Sequence, residues 1–257
     1  MYKIDLNSDL GESFGAYTMG RDGQVLDSVS SANVACGFHA GDPSVMVETV
    51  KMASSRGVAI GAHPGYPDLV GFGRRNLKCT PDQVYADCLY QIGAISAACR
   101  ATETSLQHVK PHGAMYNTAA KDLEMARAIA GAVKDGGDNL ILMGLSGSLF
   151  QMAAEETGVP FASEAFADRA YMADGTLVPR NMEGAVIHDP DEAASRVVRM
   201  IKEGIVTTLA GEDIELRPHS ICLHGDTAEA VEMSRELRKT LEAEGIEIAN
   251  LREVLKL

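Results

Sequence analysis

Five short apolar runs in this chain stop at or near Gly or Pro with titratable side chains at the break. They read Ile4-Asp5-Leu6-Asn7-Ser8-Asp9-Leu10-Gly11-Glu12, Asn33-Val34-Ala35-Cys36-Gly37-Phe38-His39-Ala40-Gly41-Asp42-Pro43, Ile60-Gly61-Ala62-His63-Pro64, Val109-Lys110-Pro111-His112-Gly113 and Ile221-Cys222-Leu223-His224-Gly225-Asp226. A core would place Val, Ile and Leu there. Carboxylate and imidazole groups instead offer acid–base chemistry near neutral pH or ligands for a metal. Polar groups at the ends of several parallel strands imply one shared site, because α/β folds collect ligands at their strand C-termini.

Side chains two apart on a strand share a face, so Asp5, Asn7 and Asp9 form one polar column. Buried carboxylates are costly unless paired or coordinating. A hydrogen-bond network beneath a barrel floor is the plain alternative, and a functional role is assigned to at least Asp9 or Glu12. A lone strand-end histidine is ordinary. His39, His63, His112 and His224, each following a different strand, are harder to set aside, whereas His108, His188 and His219 lack that context. Lys110 and His112 are two apart and project to one side. A lysine inside a barrel needs a carboxylate or an anionic ligand, so the choice lies between a salt bridge to an Asp such as Asp5 and an electrophilic or acid–base role.

Asp9, His39, His63, Lys110 and His112 are therefore the expected catalytic residues. Asp9 and the three histidines should lie within about 15 Å of one another on one barrel face. Asn7, Glu12, Arg74, Arg169, Arg180 and His224 are the expected substrate-binding residues. Arginines in Gly71-Phe72-Gly73-Arg74-Arg75 and at 169 and 180 suit a carboxylate or phosphate. Cys36, three residues before His39, reads as packing rather than as a nucleophile. The histidines are dispersed in sequence, without tight ligand spacing, and no metal is assigned.

The elements that carry these residues alternate. Strands are expected at Met1–Leu6, Ala32–Cys36, Val58–Ala62, Leu106–Val109, Leu140–Met143, Pro160–Ser163, Ser220–Leu223 and Ile246–Ile248. Asp42-Pro43, Thr80-Pro81 and Asp189-Pro190 each read as an N-cap followed by proline at the first helical position. Those helices end near Gly57, Ala101 and Gly204. Others span Asp122–Lys134, a stretch ending at Gly158, and Thr227–Glu244. Seven or eight such units imply an α/β fold, a parallel sheet closed or nearly closed into a barrel under helices. One domain, 1–257, is expected. The long irregular stretches Pro64–Lys78 and Ala165–Met182 read as lids or binding loops.

The 257 residues carry a formal net charge of -13, which repels phosphate backbones and argues against nucleic acid. Five dispersed cysteines without a CxxC pair read as reduced thiols. No apolar run approaches the ~18 residues of a membrane span, and the N-terminus lacks a signal-peptide pattern. The expectation is a cytoplasmic protein without membrane contact. Walker, dinucleotide, G-x-S-x-G and H-E-x-x-H motifs are absent.

In this order, the five runs, with Phe166-Ala167-Asp168-Arg169-Ala170-Tyr171 and Asp174-Gly175, resemble the LamB/YcsF family over nearly the whole chain. The resemblance implies an irregular (β/α) barrel of about seven parallel strands, related to that of the metal-dependent polysaccharide deacetylases. It implies cleavage of 5-oxoproline to glutamate coupled to ATP hydrolysis. The implied partners are two further 5-oxoprolinase subunits resembling the halves of allophanate hydrolase, which hold ATP and its Mg2+ wholly or partly. ATP rather than a metal would then activate the lactam carbonyl. Two rivals remain: a metal-dependent amide hydrolase with ligands drawn from Asp9, His39, His63 and His112, and a non-catalytic scaffold.

Overall fold

The computed structural model of the protein describes residues 2–223, 225 and 227–257. Ten strands alternate with nine helices among them: β1 (Tyr2–Leu10), α1 (Asp22–Val25), β2 (Ser31–Ala35), α2 (Pro43–Ser54), β3 (Ala59–His63), α3 (Pro81–Ala101), β4 (Leu106–Val109), α4 (Gly113–Ala119), α5 (Leu123–Gly136), β5 (Ile141–Leu145), α6 (Leu149–Thr157), β6 (Phe161–Phe166), α7 (Pro190–Lys202), β7 (Ile205–Thr207), β8 (Asp213–Glu215), β9 (Ser220–Cys222), α8 (Ala228–Ala243), β10 (Ile246–Ile248) and α9 (Leu251–Leu255).

Local chemistry starts the helices where the sequence says it should. Asp42 accepts from the Ser44 and Val45 amides ahead of α2, and Asp189 from the Glu192 amide ahead of α7. Thr80 and Gln83 form a capping box at α3. Each of these three helices carries proline in its first turn, where the missing N–H has no intrahelical acceptor anyway. Gly158, at φ 74°, closes α6 in the left-handed conformation.

Seven strands close a parallel barrel in the order β1-β2-β3-β4-β5-β6-β9, with β9 returning to β1. The closure is irregular. Tyr2 to Ile4 of β1 pair with β10, and the next residues, Asp5 to Asn7, pair with β9 on the same edge. The β7–β8 hairpin is antiparallel and forms its own two-stranded sheet. The apolar core joins outward-facing strand residues such as Ile4, Leu6, Val34 and Ile60 to the helices. α3 and α5 supply Ile92, Ile95, Ile129 and Val133. No helix among the described residues is long and apolar enough to cross a membrane, and all five cysteines are free.

The barrel interior is polar, where parallel barrels are usually filled by Val, Ile and Leu. Side chains on β1 and just past the end of β4, strands that are not neighbours in the sheet, meet across it, as in the hydrogen bond from Lys110 to Asn7. Four strands, β1, β3, β5 and β6, run past the ends their sequence suggested, β1 and β6 the furthest. β1 reaches Leu10 and β6 reaches Phe166. Both extensions carry polar residues that are buried only because the sheet closes.

Candidate functional site

The interior column on β1 divides into two levels. At the lower level Asp5 accepts hydrogen bonds from the hydroxyls of Ser30, Ser31 and Ser220. Asn7 donates to Ser220 Oγ at 2.7 Å and accepts from Asn33 Nδ2 at 2.8 Å. Burial pushes the Asp5 carboxyl up to about 6, against the opposing pull of those hydroxyls.

The upper level is built around Lys110, just past the end of β4. Its ammonium is 3 % exposed and donates to Asn7 Oδ1 (3.1 Å) and Asp9 Oδ1 (3.0 Å). It also lies 2.7 Å from Glu164 Oε1 and 3.3 Å from Cys222 Sγ. Burial would lower its pKa, but Asp9, Cys222 and Glu164 outweigh this and hold it well above the ordinary value. Lys110 therefore stays charged. The Tyr116 hydroxyl donates to the other Glu164 oxygen at 2.7 Å. The salt bridge thus goes to Asp9 and Glu164 and not to Asp5.

Three histidine rings stand above this network. His39 and His112 stack with centroids 3.8 Å apart and planes 3° from parallel, and His63 meets both edge-on at 5.4 and 4.9 Å. His63 Nε2 is 3.3 Å from Asp9 Oδ2, and Glu12 Oε1 lies 3.8 Å from His39 Nε2 and 4.0 Å from His112 Nδ1. The convergence expected of Asp9, His39, His63 and His112 is therefore present. Burial, then repulsion from His63, lowers His112 to about 3, and burial first also depresses His39. Those two rings are neutral at pH 7. Burial could raise the Asp9 carboxyl, but His63 and Lys110 hold it well below its usual range.

Small residues make room for these rings. A Cβ on Gly73, which sits at φ 61°, would fall 2.7 Å from His39 Cβ and 2.8 Å from His112 Cδ2. A Cβ on Gly65 would fall 2.6 Å from His39 Nδ1. The register shift between Ile60 and Gly61 places Gly61 opposite His108, and a Cβ there would lie 2.0 Å from the His108 ring. The shift and the glycine together let His108 reach into the barrel and donate to Asn33 Oδ1 at 2.7 Å.

The upper level opens into a cavity of about 470 Å³ lined by Asp9, Glu12, His63, Lys110, His112, Tyr116 and Phe166, with Arg74, Arg169 and Arg180 on its walls. Arg74 lies over the Phe72 ring at 4.9 Å. Arg169 is largely buried and donates to the Val178 and Ala185 carbonyls, so its guanidinium braces the 167–189 loop. Arg75 is paired with Asp68. Asn7, expected to touch substrate, is wholly buried beneath the cavity and spent on Ser220, Asn33 and Lys110. His224 lies outside the described residues. Burial pushes the Cys36 thiol up to about 12, which removes the thiolate a nucleophile needs.

Residues 4–256 match the LamB/YcsF family. This chain belongs to the LamB/YcsF family. A LamB/YcsF relative from Alkaliphilus metalliredigens, named as a subunit of 5-oxoprolinase, is 54% identical over the whole of both chains. One of the same name from Pyrococcus abyssi is 53% identical over 98% of this chain and 99% of its own. A crystal structure of a lactam utilization protein from Thermus thermophilus superposes with a TM-score of 0.92 at 49% identity, covering 96% of this chain and 99% of that one. A structure described as T48 deacetylase with substrate matches at a TM-score of 0.53 and 14% identity, covering 99% and 91%; this likeness extends to the fold alone.

Sequence reasoning on this LamB/YcsF chain missed Glu164, Tyr116, Asn33 and His108. Glu164 has a signal, a lone acid in the apolar run Phe161-Ala162-Ser163-Glu164-Ala165-Phe166, but a strand bounded at Ser163 stops one residue short of it. His108 shares the two-residue alternation of Lys110 but lacks the neighbouring Gly or Pro that marks the other histidines.

Proposed function

We propose that this chain opens the lactam ring of 5-oxoproline to give glutamate, as one subunit of an ATP-dependent 5-oxoprolinase. The observation that carries the reading is the cavity itself. Its floor bears Asp9, His63, His112 and Lys110, and Arg74 and Arg180 stand on its walls. Full-length relatives that carry the 5-oxoprolinase name and a lactam utilization protein with the same fold support it.

A five-membered lactam is a stable amide. Opening it needs an activated carbonyl, a water nucleophile and a proton for the leaving nitrogen. In this reading Arg74 or Arg180 pairs with the substrate carboxylate. ATP transfers its γ-phosphoryl to the lactam oxygen and leaves as ADP. Asp9, with His63 Nε2 beside it at 3.3 Å, takes a proton from water as it adds to the carbon, and Lys110 stabilises charge developing on oxygen. The C–N bond then breaks, its nitrogen takes the proton that Asp9 removed from water, and the carbonyl keeps the phosphoryl group. A second water releases phosphate and leaves the γ-carboxylate of glutamate. Asn7, Asn33 and His108 hold Asp9 and Lys110 in place from below.

The relatives are named as single subunits, which supports action within a multisubunit enzyme. No recognisable nucleotide loop occurs in the sequence, so we assign ATP with Mg2+ wholly or partly to two partner subunits resembling the halves of allophanate hydrolase. The test is glutamate release from 5-oxoproline with ATP. Little or none is expected from the chain alone, with restoration when both partners are added. Full turnover by the isolated chain would refute the division of labour.

A further inference from the structure

Hydrogen-bond donors and acceptors around the histidines leave a gap that needs positive charge. His63 Nδ1 lies 2.7 Å from the Lys110 carbonyl, and His112 Nε2 lies 2.8 Å from the Phe72 carbonyl. A carbonyl oxygen only accepts, so each of these nitrogens carries a proton. With a single proton on each ring, the remaining nitrogens, His63 Nε2 and His112 Nδ1, are both acceptors. They face each other at 3.0 Å. Two lone pairs at that distance, with the Asp9 and Glu12 carboxylates beside them, repel.

His39 sharpens the problem. The ring is fully buried, and neither of its nitrogens has a hydrogen-bond partner among the described residues. A buried polar group left without a hydrogen-bond partner carries its full desolvation penalty. Its Nε2 faces Glu12 Oε1 at 3.8 Å. Donor atoms from Glu12, His39, His63 and His112 all lie within 4.8 Å of one another. Ligands of a tetrahedral ion at ~2.0–2.1 Å bond length sit about 3.3 Å apart, so modest contraction closes this set onto one ion.

We propose that Glu12, His39, His63 and His112 bind one divalent transition-metal ion, with zinc the best match to three imidazoles and a carboxylate. The ring orientations fit a ligand role. In metal sites the histidine nitrogen that does not bind the metal commonly donates to a backbone carbonyl, which fixes the tautomer and aims the other nitrogen. His63 and His112 already have that arrangement through Lys110 and Phe72. A metal here runs against the expectation that none is bound, which rested on dispersed sequence positions. Barrel closure brings together residues that no ligand-spacing motif connects. A bound ion supplies the positive charge between His63 and His112, leaving Asp9 and Lys110 to handle protons.

Metal binding can be read without turnover, so it stands or falls apart from the lactam-opening reading. The chelator-treated full-length chain is titrated calorimetrically with Zn2+, Co2+ and Mg2+. Expected is one Zn2+ or Co2+ per chain at low micromolar affinity or tighter, with Mg2+ at least a hundredfold weaker. His39→Ala and His112→Ala should each weaken Zn2+ at least tenfold, with folding checked by circular dichroism. Should either variant unfold, the Co2+-loaded native chain decides the matter. Its proton NMR spectrum should show paramagnetically shifted, exchange-protected imidazole N–H signals from His63 and His112. Absence of stoichiometric Zn2+ or Co2+ binding would mean that a proton alone fills the gap. Unchanged affinity in folded variants, or a Co2+ complex without shifted imidazole signals, would place the ion elsewhere. Either result overturns the proposal.

Discussion

Asp5 and Asp9 lie four residues apart on β1 and face the same barrel interior, yet their surroundings are opposite in kind. Asp5 is met by three serine hydroxyls and has no cation at hydrogen-bonding distance among the described residues. Burial raises its pKa. Asp9 is met by Lys110, Asn33 and His63, is held ionised, and remains partly open to the cavity. The lower level is a closed hydrogen-bond network that ties β1, β2 and β9 together. The upper level holds the ionised Asp9, a buried ammonium and three imidazoles, of which His39 has no hydrogen-bond partner among the described residues. Satisfied polar groups hold the barrel; the imidazoles above await a ligand. Sequence alone offers the same residue type in both places.

The sharpest break in this contrast comes from Lys110→Met. Removing one partner from a buried ion network leaves the others uncompensated, at a cost of about 3–5 kcal/mol. Thermal unfolding should show Tm lower by about 10 °C or more. An unchanged Tm would mean that Lys110 and Asp9 are not held as a charged pair, and the two levels would cease to differ. His112→Ala comes next. Loss of an acid–base or ligand group should lower turnover of the assembled enzyme at least a hundredfold, about 2.7 kcal/mol, with a smaller effect on Tm.

Asp5 gives a pH-dependent effect of smaller size. Its ordinary pKa is 3.8 and its folded value about 6, so the folded chain keeps this proton to higher pH than the unfolded chain. The stability it contributes is present below about pH 4 and lost as pH rises towards 6. The slope is no steeper than about 1.4 kcal/mol per pH unit. Asp5→Asn cannot titrate, so wild type should lose stability relative to the variant between those limits in urea unfolding, and the difference should flatten above. A difference independent of pH would show that Asp5 stays ionised like Asp9. Cys36→Ala should change least, about 1 kcal/mol of stability with turnover unchanged. A large loss of turnover would restore the thiol to the chemistry.

The fold was legible because its signals are local. N-caps, first-turn prolines and terminating glycines lie within a few residues of the helices they govern, and the strand apolar runs lie between them. α4, opening directly from the His112-Gly113 break, and the three-residue strands β7 and β8 carry no such signals and were missed. The site was half legible. Strand-end histidines stand out beside Gly and Pro, but the groups that hold them have partners far along the chain. Lys110 reaches Asn7 across 103 positions, and Ser220 reaches Asp5 across 215. A polar residue in mid-strand, such as Glu164 or Asn33, has meaning only once the sheet closes. The same reason explains why the histidines look too dispersed for a metal when read along the chain.

The proposed lactam opening places its chemistry in this barrel. The most direct measurement is ATP-dependent glutamate release from 5-oxoproline by the chain assembled with both partner subunits. It compares the native chain with one carrying Asp9→Asn, His39→Ala and His112→Ala together, after co-purification has shown equal assembly. The account predicts that the triple variant assembles and releases at least a hundredfold less glutamate. Undiminished release would contradict it, placing the chemistry in the partners and leaving this barrel a scaffold.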